Sequence, residues 1–77
     1  MAREDWEMVS IKVVSEATGN VVHMSRVVIY SGGNHEKYTD DKGLAHFESV
    51  SPGSHSVYID GKEKGVLSLS GITVIYI

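Results

Sequence analysis

Apolar and polar side chains alternate with a period of two over most of the chain. In "EMVSIKVVSE", Val9, Ile11 and Val13 fall on one side and Ser10 and Lys12 on the other, the pattern of a half-buried strand. "ATGN" (17–20) ends that run with turn residues. "RVVIYS" (26–31) is apolar on both sides, which suits a central strand. Beyond the "GGN" turn, "HEKYT" (35–39) is polar enough for an edge. "LAHFES" (44–49) places Ala45 and Phe47 on one face, and "SHSVYID" (54–60) sets His55, Val57 and Ile59 together. "DGKEKG" (60–65) reads as a turn region and "VLSLS" (66–70) alternates weakly. After Gly71, "ITVIYI" (72–77) is a strongly β-prone run.

Two turn signatures bracket the fourth of these segments. In "DDKG" (40–43) the Asp40 carboxylate is placed to accept from the backbone two residues on, and Gly43 supplies a positive φ. In "SPG" (51–53) Pro52 fixes φ and Gly53 follows. A strand so bracketed is expected to pass to antiparallel neighbours at both ends. No stretch has helical periodicity. The chain therefore predicts an all-β fold, a small antiparallel Greek-key-type β-sandwich of about seven strands. The 77 residues allow one domain, 1–77, with 1–6 a loosely ordered N-terminal segment. Trp6 is expected to cap one end of the core.

Composition narrows the function classes. Hydrophobic residues make up 42%, normal for a globular chain. There are no cysteines, which excludes disulfides and thiolate metal sites. Seven basic residues against ten acidic give a net charge of −3, and only Lys62 and Lys64 lie close together, so the basic footprint of a nucleic-acid binder is missing. No apolar run reaches the ~18 residues of a membrane span, and "MAREDWEMVS" lacks the apolar segment of a signal peptide. A cytoplasmic setting and that of an extracellular module cut from a longer protein fit equally, so no compartment is assigned.

The order "GNVV", "VVIY", "TDDKGLAHF" and "VSPGSHSVYI" resembles the carboxypeptidase regulatory-like domain, one of the transthyretin-like and Cna-B-like sandwiches. Thr39, Asp40 and Gly43 correspond to that family's first turn, Phe47 to its inward aromatic, and Pro52 and Gly53 to its second turn. His55 stands where the family usually has Tyr. The resemblance implies a transthyretin-like fold and a non-catalytic accessory role in folding, spacing or binding. It carries no catalytic residue. The Cna-B relatives also suggest a Lys–Asn isopeptide bond, but Lys12 faces away from the apolar side of its strand and "ITVIYI" offers no Asn.

Candidate chemistry is sparse. His46 and His55 are the candidate metal ligands, on strands either side of the Pro-Gly turn. Alternation sets them on opposite faces, and zinc wants three or four clustered ligands. Asp40 and Asp41 lack the ligand density of a calcium loop. No G-x-S-x-G elbow or serine–histidine–carboxylate set is present, and "SGGN" is too short for a phosphate loop. No cofactor is expected. The terminal run is more informative. Ile72, Val74, Ile75, Tyr76 and Ile77 make both its faces apolar, whereas a small sandwich has one core, so one face needs another partner. The expected function is a non-catalytic structural or protein-interaction module. Its partner would be a neighbouring domain or a second copy held through the C-terminal strand, as in a homo-oligomer. The alternative is a small ligand-binding domain, taking metal through histidines or carbohydrate through Trp6, Tyr30 and Tyr58.

Overall fold

The computed structural model describes residues 9–77, which form seven β-strands and no helix. These are β1 (Val9–Val14), β2 (Arg26–Tyr30), β3 (Asn34–Tyr38), β4 (Leu44–Phe47), β5 (Gly53–Ile59), β6 (Lys62–Leu69) and β7 (Gly71–Tyr76). They make two sheets, one of three strands in the order β4-β1-β7 and one of four in the order β3-β2-β5-β6. β2 is central and β3 lies at an edge, as the apolar and polar runs of those segments predict. Residues 1–6, including Trp6, lie outside the described part of the chain.

The sheets face each other across one core. β1 contributes Val9, Ile11 and Val13, β2 Val27 and Ile29, β4 Ala45 and Phe47, and β5 Val57 and Ile59. Val50, Leu69 and Ile75 complete it. In β1, β4 and β5 these are the alternate positions that periodicity sets on one face. Each large side chain so buried contributes roughly 1.5–3 kcal/mol by leaving water. Phe47 is the largest of the fully buried side chains.

Three features depart from the sequence expectation. First, the turns around β4 do not lead to adjacent antiparallel strands. The Asp40–Gly43 turn passes the chain from β3 in one sheet to β4 in the other, and the segment with Pro52 passes it back to β5. β4 pairs instead with β1, Val9 opposite Phe47 and Lys12 opposite Leu44. Second, the sandwich is not wholly antiparallel, because β7 runs parallel to β1, Val9 beside Gly71 and Val14 beside Tyr76. β7 reaches β1 by crossing from β6 in the opposite sheet through Ser70 alone, and that crossing sets its direction. Third, residues 62–65 belong to β6. The turn is only Asp60–Gly61, with φ of 51° and 83°. Two successive positive φ values match the type I′ hairpin twist.

Polar groups close the ends. Thr39, buried beneath the start of β2, accepts from Ser25 N at 2.8 Å and donates to Val22 O at 2.7 Å. The Asp60 carboxylate accepts from Ser25 Oγ at 2.8 Å and Arg26 N at 2.9 Å. Ser25 thus ties the ends of β3 and β5 to the beginning of β2. Gly43 has φ of 75°, and a Cβ there would lie 2.8 Å from Val21 Cβ and 3.0 Å from Val13 O. Gly19 has φ of 79° but faces open space. Both Gly→Ala variants incur the left-handed penalty of roughly 1–2 kcal/mol. Gly43→Ala should lose clearly more stability than Gly19→Ala in urea unfolding, because only there must the backbone shift. Equal losses would show that Gly43 is required for its φ alone.

Candidate interaction surface

β7 is the edge strand of the three-stranded sheet, and among the described residues its only strand partner is β1. Ile75 points inward and is buried in the core, so it is not part of any contact face. Ile72, Val74 and Tyr76 point outward and are 61%, 45% and 59% exposed. Ile77 is also exposed. In register beside the outward residues lie Ser10, Lys12 and Val14 of β1, and His46 and Leu44 of β4. The outer face of this sheet is therefore an apolar stripe along one edge, with one lysine beside it.

Among the described residues nothing pairs with the far side of the β7 backbone. Ile77 N–H donates to Val14 O at 2.9 Å, and Ile77 O accepts from Glu16 N at 2.8 Å. In a parallel ladder alternate residues direct both backbone groups to the same neighbour. Thr73 and Ile75 therefore face β1 along with Ile77, and Ile72, Val74 and Tyr76 turn their N–H and C=O groups to the free edge. Ile72, Val74 and Tyr76 thus combine exposed apolar side chains with backbone groups turned away from β1, whereas Ile77, also exposed, turns its backbone to β1. Sequence periodicity finds the side chains but not the open groups, because pairing direction belongs to the sheet.

The other candidates are placed apart. His46 is on β4 and His55 on β5, in different sheets, so the Pro-Gly turn does not bring them together. His46 Nδ1 shares a 2.7 Å hydrogen bond with Ser10 Oγ, and His55 Nε2 donates to Ser51 O at 2.8 Å. His55 is half-buried with its ring held by backbone, as its inward position implies. Among the described residues no group of three or more His, Asp or Glu side chains is placed to hold a metal ion. Lys12 is half-buried on the outer face.

A groove of about 480 Å³ lies between the β3 and β4 sides, lined by His35, Glu36, Lys37, His46 and Glu48 over Phe47. Its volume falls in the range of roughly 300–1,000 Å³ of small-molecule pockets. Three of its polar groups have structural partners. Glu36 pairs with Arg26, His35 Nε2 donates to Ser31 O at 3.1 Å, and His46 holds Ser10. The Arg26 guanidinium pKa is raised by its hydrogen bond and charge pairing with Glu36.

The outer face of the four-stranded sheet is of different character. Arg26, Val28 and Tyr30 of β2 stand between Tyr38 and Glu36 of β3 and Tyr58 and Ser56 of β5. Tyr30 and Tyr58 meet edge to face, ring centroids 5.3 Å apart at 80°. Compared with models of known families and with curated proteins, the chain matches none.

The first turn is well built. Asp40 Oδ1 accepts from Lys42 N at 2.9 Å and Leu44 N at 3.0 Å, while Gly43 N donates to Asp40 O at 2.9 Å. The two backbone donors, Leu44 first, hold the Asp40 carboxyl below its ordinary value of 3.8. A depressed folded-state pKa stabilises the fold above the unfolded value and is lost as pH falls through the folded one. The stability gap between the wild type and Asp40→Asn, followed by urea unfolding, should be full at neutral pH and shrink below pH 3.8. A gap independent of pH would remove the charge from this account.

Proposed function

We propose that this chain is a non-catalytic, transthyretin-like accessory module of the carboxypeptidase regulatory-like kind that self-associates through β7. One observation carries the reading. Ile72, Val74 and Tyr76 combine exposed apolar side chains with open backbone groups on an edge strand. An exposed, flat, apolar edge is a template for strand addition, and proteins that do not use such an edge guard it with charge, proline or a bulge. β7 has none of these, and its register with β1 is unbroken from Gly71 to Tyr76. The order of turns, Thr39-Asp40-x-x-Gly43 and then Pro52-Gly53, supports the family assignment. The accessory role also fits polar groups engaged in structural hydrogen bonds.

Light scattering over a concentration series tests the reading. The mass of the wild type should rise with concentration. An Ile72→Ser, Val74→Ser, Tyr76→Ser triple variant should remain a single chain with its melting temperature little changed, because these side chains lie outside the core. A wild type that stays a single chain up to about 1 mM, where a contact worth roughly 4 kcal/mol would be half formed, ends the proposal.

A second reading rests on the tyrosine face. Tyr30, Tyr38 and Tyr58 share the outer side of the four-stranded sheet with Ser56 and an Arg26–Glu36 pair that cancels its own charge. Rings flanked by neutral hydrogen-bonding groups suit a sugar, which has an apolar face and hydroxyls around it. Titration with neutral oligosaccharides should then shift the tyrosine ring signals in NMR spectra. Unmoved rings at millimolar sugar would leave the tyrosines as cover for Val28.

A further inference from the structure

We infer that the contact partner of β7 is one second copy of this chain, joined edge to edge and antiparallel across a two-fold axis at Val74, so that association stops at two chains. The inference rests on the self-association proposed above and specifies its geometry.

The argument begins with charge. Residues 65–77 contain no charged side chain. Copies of a chain with net charge −3 repel one another, and this strand is where they meet without bringing like charges together. The remaining edges of the described sheets each carry a guard, β6 over its first half. β3 carries Glu36 and Lys37 along an exposed, polar strand. β4 is only four residues long. β6 begins Lys62-Glu63-Lys64 and is bulged, since Val57 faces Gly65 and Tyr58 faces Glu63, leaving Lys64 between them. Short, charged and bulged strands are the devices that stop edge pairing. An unguarded edge that can meet only its own equivalent gives an isologous contact, which closes at two; adding β7 to a different edge would propagate into a filament.

Pairing direction and centre follow from the backbone. The open groups belong to Ile72, Val74 and Tyr76, which are two residues apart. Antiparallel strands exchange both bonds between directly opposed residues at every second position. A two-fold axis at Val74 sets Val74 against its own copy and Ile72 against Tyr76 of the other chain, twice. All three residues of each copy then bond, giving about six backbone hydrogen bonds. The opposed side chains fall on one face, Ile72 against Tyr76 on either side of the Val74 pair. Apolar and aromatic cross-strand pairs of this kind are favourable. The product is a continuous six-stranded sheet, β4-β1-β7 followed by its two-fold copy.

Charge placed on the axis tests the geometry. Val74→Lys and Val74→Glu each set like charges face to face and should each be a single chain at concentrations where the wild type is two. An equimolar mixture of the two variants should recover the two-chain mass, because lysine then opposes glutamate. Val74→Cys, the only cysteine in such a chain, should cross-link copy to copy under oxidation, and Ile72→Cys should do so far less. Val74→Pro, which removes a donor directed away from β1, should abolish association without lowering the melting temperature greatly. A mixture that stays monomeric while the wild type associates overturns this arrangement alone. So does a wild-type mass that grows beyond two chains. A wild type that never associates removes self-association as well.

Discussion

Everything in this fold follows from one constraint: two small sheets must cover each other's inner faces. With 77 residues there is enough apolar surface for one core and no second layer. Phe47, Ile11, Ile29 and Ile59 meet across that interface, and every strand sends at least one inward side chain toward it except the polar edge strand β3. The turns answer to the same constraint. Because consecutive strands must supply both layers, the chain crosses between sheets after β1, after β3, after β4 and after β6. The last crossing is made by Ser70 alone, and it delivers β7 to the free side of β1.

The outer faces are what remains, and they are treated differently. On the four-stranded sheet Val28 is buried, with Tyr58 opposite it on β5, and Arg26 neutralises Glu36. On the three-stranded sheet the central residues Ser10 and Val14 are buried while Ile72 and Tyr76, beside them on β7, stay exposed. The apolar cover belongs to the edge strand, where it coincides with open backbone groups. This coincidence separates β7 from exposed apolar residues such as Met24 and Val66, which stand singly and call for no explanation.

The histidines show how position overrides chemistry. Four occur in 77 residues, and each that forms a hydrogen bond does so within the scaffold: His35 to Ser31, His46 to Ser10 and His55 to Ser51. A pair flanking a turn suggests proximity only if the turn makes a hairpin. Here it makes a crossing, so His46 and His55 end in separate sheets.

Local pattern marks most of the strands, the inward faces of those that alternate, and the turn around Asp40 and Gly43. Period-two alternation marks Val9, Ile11 and Val13, and Ala45 and Phe47, as core, because a pleated strand sends alternate side chains to opposite sides. Asp40 and Gly43 are legible as a turn because carboxylate acceptance and positive φ are local demands. It also exposed the excess of apolar side chains in the last strand. Sheet assembly sets the rest: β7 lies parallel to β1 at an edge, β4 pairs with β1, and Ile72, Val74 and Tyr76 rather than Ile75 face out. Those outcomes depend on which strands share a sheet, and pairing joins residues far apart along the chain, where local pattern is silent.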